Sequence, residues 1–161
     1  MLFRSGWKIA QVAKTWVDTP YAPIGSKYSG GNAVKKAGAD CSGSVWAIYK
    51  EAGYSYGNYF NTVRFVDVVA SDPHFIAAWI QKLVSADESF VKGKHFFKEV
   101  FMPQVGDICW WPGHMSIYDP ASGAAPPHNV LGNAWSERDK GKNFSSVRYQ
   151  WYDDIFKTPV R

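Results

Sequence analysis

Several large protein classes are excluded by what this chain lacks. It has two cysteines in 161 residues, too few for a disulfide framework, so a hydrophobic core must hold the fold. A single Cys41–Cys109 bridge stays open at this point, and it would silence either thiol. No apolar run is long enough to cross a bilayer, and no internal repeat or low-complexity tract is visible, so neither membrane insertion nor a repeat architecture is expected. The four histidines, His74, His95, His114 and His128, have no metal partner at ligand spacing. Neither a metal site nor a cofactor is therefore expected. Gly30-Gly31 with Lys35 and Lys36 lacks the Gly-Lys-Ser/Thr ending of a phosphate loop and reads as a mobile loop in front of a site. The N-terminal stretch carries no secretory h-region, so the chain is expected to be made in the cytoplasm without a cleavable signal peptide.

The chain is 46% hydrophobic, which suits one domain over residues 1–161 that buries on the order of 70% of its unfolded surface. The net charge is +4 and the pI about 9.0. The basic residues are scattered, with no recognition helix or RNP-like strand, so the surface reads as mildly basic and not as a nucleic-acid interface. The charged run Glu137 to Lys142 reads as a solvated hairpin tip. Trp110, Trp111 and Trp135 are assigned mainly to packing, with sugar stacking as the lesser use.

The chemistry concentrates in two stretches. In Gly38-Ala39-Asp40-Cys41-Ser42-Gly43 a cysteine opens a helix that carries Val45, Ile48 and Ala52 at helical spacing and ends at Gly53, with Asp40 as N-cap. Helix N-termini favour thiolate over thiol, so a depressed Cys41 pKa is expected. The second stretch, Val105 to Tyr118, holds two β-like runs around Pro112-Gly113, with His114 opening the second. Cys109 alternates with Ile108 and Trp110 and reads as a packed strand residue.

The remaining elements follow from periodicity. An N-terminal helix is expected over Ser5–Val17. Helices over about Asn61–Ala70 and from Asp72 through Val84 form a helical insertion at about residues 58–90, which could wall a groove. Strands are expected near 95–101, 105–111, 114–119, 129–136 and 146–152, the last pairing with the strand that carries Asn133. The fold class is α+β.

Thr19-Pro20-Tyr21, Asp40-Cys41-Ser42-Gly43, Gly106-Asp107 and Gly113-His114-Met115-Ser116-Ile117-Tyr118 stand in the order of one family's motifs. The chain resembles the NlpC-type, papain-like cysteine peptidases that cut the peptides of bacterial cell walls. The resemblance implies a papain-like fold, in which an N-terminal catalytic helix packs on an antiparallel sheet. Catalysis would run through Cys41 as nucleophile, His114 as base and then acid, and Asn133 as the orienting group. Tyr21 would line the site, and Asp40 and Ser42 would meet substrate, although Asp40 as a plain helix cap is an equal alternative.

Two departures stand out. The third position is often histidine in the family, and a shifted register would offer His128 or Glu137 instead. The interval from Cys41 to His114 is also longer than a compact member needs.

The implied substrate is peptidoglycan, cut between γ-D-glutamate and the diamino acid or at the D-alanine cross-link. Small single-domain members resemble the amidase effectors that type VI secretion systems deliver into rival bacteria, which implies action in a target periplasm and an immunity protein as partner. A phage-type lysis enzyme, a papain-like acyltransferase and an inactive peptide-binding module stay as alternatives.

Overall fold

A computed structural model describes residues 3–54, 59, 69–70, 82–86, 97–99, 104–111, 114–119, 128–132 and 147–151. Helix α1 runs Phe3–Thr15 and α2 runs Cys41–Glu51. The strands are β1 Val69–Ala70, β2 Lys82–Ala86, β3 Phe97–Glu99, β4 Ile108–Trp111, β5 His114–Tyr118, β6 His128–Gly132 and β7 Arg148–Trp151. The class is α+β, as expected.

Helix α1 forms because Ile9, Val12, Ala13 and Trp16 recur at i, i+3, i+4 and i+7, giving one apolar stripe. Helix α2 is bounded at both ends by its own sequence. Asp40 caps it, accepting the Gly43 N–H at 2.7 Å. At the far end Tyr54 N–H bonds the Tyr49 carbonyl at 2.9 Å and Gly53 N–H bonds that of Lys50 at 3.1 Å. Gly53 has a φ of +95°, and together these bonds form the paired arrangement that closes helices with a left-handed residue.

Ile9, Ala13 and Trp16 of α1 and Val45, Ile48, Tyr49 and Ala52 of α2 pack with Ile108, Trp110, Met115 and Ile117 of β4 and β5. Each fully buried aliphatic side chain there contributes about 1.5–3 kcal/mol relative to exposure. Trp110 belongs to this core, in line with packing as its main use. Val147, just ahead of β7, joins the same cluster, and it exchanges backbone hydrogen bonds with Asp18 and Thr19 beyond α1.

The sheet order is β1-β3-β2-β4-β5-β6-β7. Pairings are antiparallel except β1 with β3, which is parallel. All five expected strands are present near their expected positions, and β7 pairs with β6. The Pro112-Gly113 turn lies outside the described residues, but Trp111 and His114 on either side of it are paired.

The helical insertion needs correction. Val69–Ala70 and Lys82–Ala86 are strands, and β2 sits between β3 and β4. Leu83 and Val84 fall within the helix expected through Val84, yet Lys82 to Ala86 is too short a segment for its period to decide. Pairing of Leu83 with Cys109 and of Val84 with Ile108 and Glu99 overrides local preference. Apart from Tyr59 and these two strands, the insertion lies outside the described residues.

Candidate active site

Cys41 is the first residue of α2, directly after its cap. The Asp40 carboxylate does two tasks at once. One oxygen takes the Gly43 N–H and the other takes the Gly30 N–H at 2.8 Å. The second bond ties the loop with the short 3-10 helix Gly30–Asn32 onto the helix start. A Cβ on Gly43 would lie 2.7 Å from the Asp40 oxygen and would also strike the Gly30 carbonyl. The glycine that follows Cys41-Ser42 is therefore what lets the loop dock. The loop stands at the site, tied to the helix start by the Gly30–Asp40 bond.

The half-buried Cys41 and the buried Cys109 are not joined in a disulfide, so the bridge left open by the sequence is not formed. Backbone N–H groups of Met115, Ser42 and Cys41 itself are directed at the Cys41 sulfur and favour thiolate. Burial, followed by the charge of Asp40, outweighs them and pushes the thiol pKa up to about 12. This overturns the expected depression. The N–H donors at the helix start are present as foreseen, but the same cap that creates the helix start also places a carboxylate beside the sulfur.

Tyr21 is held next to the cysteine segment by backbone pairing. The Ala22 N–H bonds the Ala39 carbonyl at 2.9 Å, and the Ala39 N–H bonds the Pro20 carbonyl at 3.0 Å. Its phenol is pushed up by burial and by the nearby Cys41 and Asp40. Ser42 is buried. Its hydroxyl shares a 2.5 Å hydrogen bond with the Tyr59 hydroxyl and lies 3.4 Å from an Asp40 oxygen. Asp40 and Ser42, both assigned to substrate by resemblance, are thus already engaged within the protein.

Tyr59 is a site residue that sequence reasoning missed. Its ring lies on Gly30 and Gly31 and stands edge-on to Trp46 at 6.0 Å. Burial raises its phenol to about 12, with Asp40 and Cys41 adding to the rise against the bond from Ser42. Both phenols are thus buried close enough to Cys41 that a thiolate there would add to the burial that opposes their own ionisation. The glycine pair was the available signal, since flat backbone is what an aromatic ring packs against.

His114 opens β5 and is 6% exposed. Met115, the next residue, supplies the N–H that reaches the Cys41 sulfur, so the thiol meets β5 one residue from the histidine. Ser116 Oγ lies 3.1 Å from His114 Nε2. This second missed residue was inside the quoted motif, and strand alternation puts it on the same face as His114.

Compared with models of known protein families, with curated proteins and with solved structures, the chain matches none.

The third position depends on β6. Ile117 pairs with Leu131 and Tyr118 with Val130, so β6 runs back towards the start of β5 and its last described residue is Gly132. Asn133 follows directly, outside the described residues, as does Glu137. His128 is at the opposite end of β6, across from Trp151. Continuing the register puts it roughly 20 Å along the strand direction from the level of His114, which removes it as an orienting group. Among the described residues, no group of three or more His, Cys, Asp or Glu is gathered as a metal ion requires. No helix among them is long and apolar enough to cross a membrane.

Proposed function

We propose that the chain is a papain-like, NlpC-type cysteine amidase that hydrolyses an amide bond in the stem peptides of peptidoglycan or in their cross-links. The observation that carries this reading is the meeting of helix start and histidine strand, with the Met115 N–H on the Cys41 sulfur and His114 adjacent to it. Four motifs in the family's order support it from the sequence side.

In this reaction Cys41 Sγ attacks the amide carbonyl carbon while its proton passes to His114. The raised thiol pKa calls for that coupling, because a standing thiolate is disfavoured in the resting site. Backbone N–H groups at the helix start, with Tyr21 close by, would hold the tetrahedral oxyanion. The C–N bond then breaks, His114 returns the proton to the leaving amine, and water hydrolyses the thioester to release a carboxylate and restore the thiol. The resemblance assigns the orienting of the imidazole to Asn133. The setting carried by the resemblance is an antibacterial effector acting in a target cell's periplasm, with an immunity protein that covers the groove.

Digestion of Gram-negative peptidoglycan by the protein and by Cys41→Ala, with the muropeptides identified by mass, tests the reading. Loss of cross-linked dimers places the cut at the D-alanine cross-link. Dipeptide-bearing fragments place it after γ-D-glutamate. Identical profiles from both samples would overturn the amidase reading and favour acyl transfer or peptide binding.

A further inference from the structure

The hydrogen bond between Ser116 and His114 is independent of any strand beyond β5. The two residues are i and i+2, so the pleat itself puts both side chains on one face. The hydroxyl has no exposure to water, and the imidazole has almost none. Across the sheet Ser116 is paired with Cys109, which is also fully buried. Solvent is thereby kept from competing for Nε2.

A hydroxyl can donate or accept, and the ring nitrogen it faces can do either, according to tautomer. If Oγ accepts, the proton resides on Nε2 and Nδ1 keeps its lone pair. If Oγ donates, the proton is on Nδ1 and that nitrogen cannot take another.

We infer that Ser116 is a positioning residue for His114, accepting a hydrogen bond from Nε2–H so that Nδ1 is left to receive the Cys41 proton. The catalytic consequence rests on the amidase reading, whereas the tautomer does not. The resemblance places the orienting group on the following strand, at Asn133. Ser116 does this work from within the histidine strand, as a fixture of its own pleat. When the Cys41 proton arrives on Nδ1 the ring becomes cationic and still donates from Nε2 to Oγ. When the proton leaves with the amine the starting tautomer is restored, and Ser116 itself gains and loses nothing.

The test reads the nitrogen and carbon NMR shifts of the His114 imidazole in the wild type, Ser116→Ala and Ser116→Thr, at a pH where the ring is neutral. The expected wild-type spectrum is that of the Nε2–H tautomer. Ser116→Ala should move towards a mixture of tautomers and lower peptidoglycan turnover about tenfold or more, and Ser116→Thr, which keeps the hydroxyl, should restore both. A wild-type proton on Nδ1, or wild-type shifts in Ser116→Ala, would overturn the inference. Should Ser116→Ala fail to fold, Ser116→Cys, similar in size and a weak acceptor, gives the same comparison. Wild-type inactivity on peptidoglycan would count against the amidase reading alone, since the tautomer is read without substrate.

Discussion

The Met115 backbone N–H reaches the Cys41 sulfur, yet burial, with the charge of the Asp40 carboxylate adding to it, keeps the proton on sulfur. Donor and carboxylate work against each other at one atom. Iodoacetamide alkylation of Cys41 should therefore climb steadily from neutral to high pH, with no plateau at low pH of the kind a standing thiolate gives. On the proposed amidase reading, His114→Ala should lower amide hydrolysis by about 10²–10⁴ while changing that alkylation profile little.

The same shift predicts a loss of stability in alkali. The folded thiol is harder to deprotonate than the unfolded one, so its contribution is complete below the unfolded pKa of about 8.5 and fades as pH rises towards the folded value. Thermal unfolding midpoints should fall more between about pH 8 and 11 for the wild type than for Cys41→Ala. Parallel curves would show that the thiol does not contribute to the alkaline loss.

Asp40→Asn separates the two roles of that carboxylate. Removing the charge should speed Cys41 alkylation at mildly alkaline pH. Weakening the cap and the tie to Gly30 should cost about 1–2 kcal/mol in urea unfolding. Faster alkylation accompanied by lower stability is the expected pair of results.

Another substitution probes the ground beneath the site. Gly106 has a φ of +89°, and a Cβ there would lie 2.5 Å from Gly6 Cα. Its carbonyl also accepts the buried Tyr49 hydroxyl. Gly106→Ala should destabilise by about 2 kcal/mol or more through backbone strain and the clash with α1, measured as a drop in the thermal midpoint.

Tyr59→Phe keeps the ring on Gly30 and Gly31 but removes the hydroxyl bonded to Ser42. The loss should be about 1 kcal/mol in chemical denaturation. An unchanged unfolding curve would mean that the hydroxyl bond adds nothing beyond ring packing.

Local signals in the sequence identified α1, α2 with its cap and closing glycine, and five strand positions, because each repeats a period or a turn residue that physics ties to one conformation. Strand β2 escaped because a five-residue segment satisfies two periods, and only its partners Cys109 and Glu99, distant in the chain, choose between them. The places of Cys41 at the start of α2 and of His114 at the start of β5 were legible in the sequence. The pKa of Cys41 was not, since it is set first by burial and then by the Asp40 carboxylate against the N–H groups, and burial is not written in the local sequence. Ser116 was in plain view, but its role needed the 3.1 Å separation from the imidazole. Tyr59 lay in a segment with no pattern of its own.

The position of β2 between β3 and β4 divides the sheet by its history of assembly. Strands β4 to β7 each pair with the next in the chain, so they can zip together from local contacts as soon as α2 is available to pack on them. Strand β2 must wait for β4, with β3 emerging between them in the chain. The site-bearing half is thus a self-sufficient meander, and the β1–β3–β2 half is an annex hung on its free edge. Length added to or taken from the annex would leave the β4–β5 pairing, and with it the strand that carries His114, in place.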